Sequence, residues 1–167
     1  MITVLLDKHK HQRKCFDCGV DALNNYLCMM ANQQSSKDNA RTFVLADEKQ
    51  PDYIIGFYTL AMSPIDWSGL PASVQKKHRH IHAGGLIARL AVDQRYARQG
   101  FGAWLLVDAL KRLLLASEQV AFPLVIVDAK TGVAEFYSKF GFTPFTSRPD
   151  KMFITLADVR CSLGDMA

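Results

Sequence analysis

The stretch Ile87-Ala-Arg-Leu-Ala-Val-Asp-Gln-Arg-Tyr-Ala-Arg-Gln-Gly-Phe-Gly-Ala-Trp-Leu-Leu106 decides how the chain folds. Leu86 to Val92 is almost continuously apolar, the pattern of a central strand covered on both faces. A short basic loop follows from Asp93 to Gln99, and Gly100 to Ala103 marks the start of a helix. Gly100 and Gly102 carry no Cβ, so backbone there can approach a ligand closely. The first amides of a helix have no intrahelical acceptor and lie at the positive end of its dipole. The turn Arg98-Gln99-Gly100-Phe101-Gly102-Ala103 is therefore suited to a phosphate or diphosphate, and Arg95 and Arg98 add positive charge. The spacing is not the G-x-G-x-x-G of a Rossmann site, and no first strand of a βαβ series precedes it.

Outward from this stretch, the pattern alternates between short strands and helices. Thr3 to Leu6 reads as a first strand. Val20, Leu23, Leu27 and Met30 recur at helical spacing, with Asp17 or Cys18 near the helix start and Cys28 on its core side. Gln33 to Asn39 is a polar loop. Thr42 to Ala46 and Ile54 to Met62 are β-rich runs joined by a hairpin connection containing Pro51. Ser63 to His82 reads as a long irregular connection. Phe101, Leu105, Ala109, Leu110 and Leu113 line a helix, and Trp104 and Phe101 are expected in the core. Leu124 to Val127 is another buried strand. Val133 to Phe140 is a short helix closed by Gly141, and Phe142 to Phe145 and Met152 to Leu156 supply the last strands. The order implies an α+β domain, residues 1–167, around a mixed sheet.

Composition narrows the class. With 49% hydrophobic and 22% charged residues, the chain has the make-up of a soluble globular domain. A chain of 167 residues buries enough surface to fold without metals or disulfides. Its apolar runs fall short of a membrane span, and Met1 to Leu6 followed by basic residues has the wrong order for a secretory signal, so a cytoplasmic protein is expected. The net charge of +4 is modest, but Lys8, Lys10, Arg13 and Lys14 form one basic cluster, and Lys76, Lys77 and Arg79 another. Either could meet nucleic-acid phosphates, or simply be solvated. Cys15 and Cys18 lack a second pair at zinc-site spacing. His78, His80 and His82 would share a face on a strand but have no fixed partner ligand, so no metal site is expected.

The residues around this core also resemble a known family. Ala97-Arg98-Gln99-Gly100-Phe101-Gly102 resembles the acetyl-CoA-binding motif Gln/Arg-x-x-Gly-x-Gly/Ala of GNAT acetyltransferases, with Ala97 departing at the first position. Further matches are Phe16-Asp-Cys-Gly19, Leu23-Asn-Asn-Tyr-Leu27, Arg41-Thr-Phe-Val-Leu45, Ile55-Gly-Phe-Tyr-Thr-Leu60, Val127-Asp-Ala-Lys130 and Phe136-Tyr-Ser-Lys-Phe-Gly-Phe142. Together they resemble the GNAT toxins of type II toxin–antitoxin systems, which acetylate the amino acid on charged tRNA. The resemblance implies a GNAT fold: a mixed central sheet flanked by helices, with a splayed strand pair receiving acetyl-CoA. It implies that Leu90, Ala91 and Val92 offer backbone amides along the pantetheine, one acting on the thioester oxygen. It also implies a homodimer, an aminoacyl-tRNA substrate and a ribbon-helix-helix antitoxin as partner, with no membrane association.

Tyr137 is the candidate acid. A phenol of pKa about 10 holds a proton at neutral pH and can give it to a thiolate. The central strand carries no carboxylate base; Asp93 and Asp128 are the nearest. A lysine amine, with pKa about 10.4, needs such a base, whereas an α-amine at about 7.7–8.0 is partly neutral already. Arg89, set in an apolar strand, must have a partner: either a structural salt bridge or an RNA phosphate. Arg41 is a further RNA-binding candidate. Two other functions fit the same residues, a GNAT acting on a small amine or protein N-terminus, and a non-catalytic acyl-CoA-binding module.

Overall fold

The computed structural model describes residues 1–130 and 132–165. A sheet of seven strands runs in the order β1-β2-β3-β4-β5-β7-β6. Its strands are β1 (Ile2–Leu5), β2 (Arg41–Ala46), β3 (Gly56–Pro64), β4 (Ala83–Val92), β5 (Leu124–Asp128), β6 (Thr143–Pro144) and β7 (Lys151–Thr155). β4 and β5 pair in parallel, while β1 with β2, β2 with β3, β5 with β7 and β6 with β7 are antiparallel. The mixed sheet expected from the sequence is present. Two compact units share it, Met1–Ala61 with Ala88–Ala109, and Met62–Ile87 with Leu110–Ala167.

In the first unit, β1 to β3 form an antiparallel meander. A helical segment follows β1, made of α1 (Asp21–Asn25), a π-helical turn (Tyr26–Met30) and α2 (Ala31–Ser36). Tyr26, Leu27 and Ala31 pack on Val44, Phe57 and Ala91 with Phe16 and Ile54. The π turn explains two departures from the sequence reading. Its wider winding breaks the 3.6-residue register, so Ala31 is buried while Met30, at the expected apolar spacing, is exposed and Cys28 only half-buried. Val20 is the N-cap and also exposed; neither Asp17 nor Cys18 caps this helix. Gly56 is required by close packing, since a Cβ there would lie 2.8 Å from the Ala91 carbonyl oxygen.

In the second unit, Leu124, Ile126, Phe145 and Phe153 form a core with Ile65 and Leu70. The connection from Ser63 to His82 is more regular than expected. β3 extends to Pro64, Trp67–Gly69 forms a 3-10 turn, and α3 (Ala72–Lys77) follows. Val74 of α3 packs against the core, which is what orders it. β4 begins earlier than expected, at Ala83. Gly84 and Gly85 admit neighbours that a side chain would strike, namely the Leu124 carbonyl and the Phe122 ring, each 2.9 Å from a built Cβ. α4 (Phe101–Gln119), α5 (Ala134–Ser138) and α6 (Leu156–Asp165) complete the helices. Among the described residues no helix is long and apolar enough to cross a membrane.

Candidate active site

The turn between β4 and α4 is built from backbone conformation. β4 ends at Val92, and Asp93 caps the 3-10 turn Gln94–Tyr96, its side chain accepting from the Arg95 amide. Arg98 then takes φ +60° and Gly100 φ +84°. A non-glycine residue in the left-handed region costs roughly 1–2 kcal/mol, and such strain gathers at ligand-holding sites. Left-handed residues in a tight turn also direct successive amides into one concavity, an anion-binding nest. A Cβ built on Gly100 meets no atom within 4 Å, so the space in front of the turn is open. Phe101, Gly102 and Ala103 then open α4, where the first amides have no intrahelical acceptor. The whole candidate set from Arg98 to Ala103 thus lies in one loop–helix junction of the kind that fits a diphosphate.

Leu90, Ala91 and Val92 lie on the last turnless stretch of β4. The parallel ladder with β5 covers Gly85–Ile87 against Val125–Val127, while β4 runs on to Val92. The three residues therefore lie beyond the end of that ladder.

Tyr137 sits in α5, 7% exposed. Its ring packs edge-on against Phe136 and Phe142, with centroids 5.2 and 5.5 Å away. The Phe142 amide donates to the Tyr137 carbonyl, and Gly141 at φ +91° closes the turn. Burial, aided by the negative charge of Asp128, pushes the Tyr137 phenol up to about 12. It keeps its proton throughout the neutral range.

The cationic candidates separate. Arg89 is half-buried, and its partner is an aromatic face: the guanidinium carbon lies 3.7 Å from the Tyr26 ring centroid. Of the two partners the sequence left open, a structural salt bridge or an RNA phosphate, the described residues supply neither; the contact is cation–π, which leaves the charge un-neutralised. Arg41 is spent locally, donating to Asp38 at 2.5 Å and to the Ser35 and Ala40 carbonyls at 2.9 and 3.3 Å. Lys76, Lys77 and Arg79 are exposed at the end of α3, where Lys76 and Arg79 line a depression of about 300 Å³ with Trp67, Ala72 and Gln75. In the N-terminal basic cluster, Arg13 donates to the Cys28 carbonyl at 2.8 Å, and His11 is buried, accepting from the Asp7 amide; Lys8, Lys10 and Lys14 are exposed.

Other expectations change. Arg95 adds little free charge, because it pairs with Asp93 at 3.0 Å. Trp104 is 39% exposed on the first turn of α4 rather than in the core. His78 caps α3, and residues 79–82 form a turn and loop, so the three histidines do not share a strand face. Cys15 and Cys18 are free thiols. Sequence reading missed Tyr26 as the seat of Arg89, and it gave no role to Asp17 or Gly19. The only signal was their place in short motifs of the resemblance.

Comparison with known proteins adds an independent line. The family model for the acetyltransferase (GNAT) domain matches residues 38–144. A probable toxin TacT of Sinorhizobium fredii is 31% identical over 170 residues, covering 95% of this chain and 93% of that protein. A tRNA-acetylating toxin of Mycobacterium tuberculosis is 28% identical over 151 residues, 90% of this chain and 89% of its own. The crystal structure of AtaTR bound with acetyl-CoA superposes with a TM-score of 0.83 at 25% identity, covering 97% of both chains.

Proposed function

The chain belongs to the GNAT acetyltransferase family and is an acetyl-CoA-dependent N-acetyltransferase, and on that premise we propose that it is a toxin acetylating the α-amine of aminoacyl-tRNA, which blocks translation. The observation that carries this reading is the extent of the similarity. It runs over nearly the whole chain of two toxins, one of them named for acetylating tRNA, and not merely over the acetyl-CoA turn.

Each residue has a part. The nest at Arg98–Gly100 and the opening amides of α4, at Phe101, Gly102 and Ala103, hold the diphosphate of the donor. Amides of Leu90 to Val92 bind the pantetheine arm, and one donates to the thioester oxygen as negative charge gathers there. The neutral α-amine attacks the thioester carbon, forming the C–N bond, and the C–S bond breaks. Tyr137 gives its phenolic proton to the departing sulfur and recovers one from water, while the amine's proton is lost to solvent. Asp93 is no base, because both its oxygens are taken by N–H donors. An α-amine suits such a site, since with a pKa of about 8 part of it is already neutral and needs no base.

Arg89, Lys76, Lys77 and Arg79 contact the RNA backbone. Arg89 is the best placed of these, because an aromatic seat orients its N–H donors without quenching the charge. Arg41 contributes least, being tied to its own loop. The protein acts in the cytoplasm as a homodimer and is restrained by a ribbon-helix-helix antitoxin with an acidic segment that covers the basic surface. Expression in a bacterial host tests this. Induction arrests growth, Tyr137→Phe relieves the arrest, and harmless expression of verified active protein overturns the toxin reading.

A further inference from the structure

Phe16-Asp17-Cys18-Gly19 lies far in sequence from the acetyl-CoA turn, yet it is bonded directly to the root of that turn. Asp93, 1% exposed, gathers four N–H groups on its two carboxylate oxygens. Oδ1 accepts from the Arg95 amide at 2.9 Å and from Arg95 Nε at 3.0 Å. Oδ2 accepts from Arg95 Nη2 at 3.1 Å and from the Asp17 amide at 3.0 Å. The Asp17 carbonyl in return accepts from the Gln94 amide at 2.9 Å. Asp17 is itself fixed. Its Oδ1 accepts from the Gly19 amide at 2.8 Å and from Asn24 Nδ2 at 2.9 Å, and Asn24 Oδ1 accepts from the Cys18 amide at 2.9 Å. Gly19 takes φ +84°, a conformation other residues rarely adopt, and the Gln94 side-chain amide rests against it. Phe16 anchors the segment, edge-on to Phe57 at 5.4 Å in the core.

These bonds fix residues 93–95, and the strained Arg98, with the left-handed Gly100, follows within the same short loop. Left-handed backbone at a non-glycine residue persists only where its surroundings over-determine it. We propose that Asp93, Asp17 and Gly19 are positioning residues that hold the turn in its diphosphate-binding shape, so that a motif remote from the donor sets the affinity for CoA. The proposal rests on the acetyl-CoA reading of that turn. In that reading none of the three is assigned a contact with the donor or the reacting atoms.

The test separates positioning from general structural support by comparing two ligands. CoA and pantetheine, which lacks the diphosphate, are titrated calorimetrically into the wild-type chain, Asp93→Asn, Asp17→Ala and Asp17→Asn, with folding checked by thermal unfolding. Asp93→Asn turns one acceptor into an amide facing N–H donors. Asp17→Ala, at an exposed position, removes the carboxylate without disturbing the core, and Asp17→Asn restores an acceptor oxygen. The expected result is CoA binding about tenfold weaker in Asp93→Asn and Asp17→Ala. Pantetheine binding and kcat at saturating acetyl-CoA stay near wild type, and Asp17→Asn recovers most of the CoA affinity. Equal losses for both ligands, or no loss for CoA in a folded variant, would overturn the proposal. Failure of the wild-type chain to bind CoA would overturn the reading of the turn and this inference with it.

Discussion

The turn at Arg98–Gly100 and the phenol at Tyr137 are built on opposite principles. The turn is exposed, strained and made of backbone. Its positive dihedral angles and open frontage suit an anion, and little depends on any one side chain. Tyr137 is buried among aromatic rings, its backbone is ordinary helix, and what it offers in the proposed role is one O–H group whose pKa burial raises further. On the proposed reading, binding should depend mainly on the backbone shape and charge of the turn, whereas the chemistry should depend on a single oxygen at Tyr137.

The sharpest way to break this contrast is Tyr137→Phe. It keeps the ring against Phe136 and Phe142 and removes the donor, so turnover should fall on the order of 10²-fold with CoA affinity unchanged. Equal turnover by the two proteins would reduce Tyr137 to packing. The pH profile sharpens the same point. A pKa raised to about 12 keeps the phenol in its acid form below that value, so kcat should show no alkaline loss from Tyr137 up to pH about 10. The sign for stability is consistent: the stabilisation from burying a neutral phenol is fully present below the unfolded value of about 10 and is lost as pH rises through about 12.

On the turn, Gly100→Asp should weaken CoA binding by about tenfold or more through charge repulsion of the diphosphate. Asp tolerates left-handed backbone better than most residues, and the frontage has room for it. Gly100→Asn, of the same shape without the charge, should lose far less. Similar losses in both would assign the effect to backbone strain. Reversing Lys76, Lys77 and Arg79 together should lower transfer to charged tRNA severalfold and reduce the slope of log affinity against log salt by about two to three. Donor binding should be untouched; an unchanged salt slope would remove these residues from the RNA surface.

The smallest expected effects are at Arg41 and in the acid range. Arg41→Ala gives up an exposed pair with Asp38, so stability should change by about 0–1 kcal/mol and tRNA acetylation by less than about twofold. A large loss would restore Arg41 as an RNA contact. For Asp93, burial pushes its carboxyl up, but bonds from Arg95 and the Asp17 amide outweigh it and leave it below the usual range. A carboxyl with a lowered folded pKa stabilises above its unfolded value, about 3.9, and loses that stabilisation as pH falls through the folded one. CoA affinity should therefore show no change from Asp93 between pH 5 and 8, and titration at several buffered values checks it.

Much of this was legible in the sequence because it follows local periodicity or local chemistry. The glycine spacing, the apolar run of β4 and the aromatic cluster around Tyr137 can each be read within a few residues. What was not legible depends on residues far apart or on irregular backbone. The π turn at Tyr26–Met30 shifts the buried face by one position, which no fixed period detects, and it puts Tyr26 beneath Arg89. Likewise Asp17 reads only as a residue near a helix start, yet the partner of its amide lies 76 residues away. Trp104 looked like core at an apolar helix start and is exposed, because the buried face of α4 runs through Leu105, Leu106 and Ala109.

The central claim is that acetyl groups pass from acetyl-CoA to the amino acid carried by tRNA. Its most direct test incubates the purified chain with labelled acetyl-CoA and either aminoacylated tRNA, the same tRNA deacylated, or polyamines and aminoglycosides. The account predicts label on aminoacylated tRNA alone, released by mild alkaline deacylation as the N-acetylated amino acid. Label on polyamines or aminoglycosides with none on any charged tRNA would contradict it and make the chain a small-amine acetyltransferase.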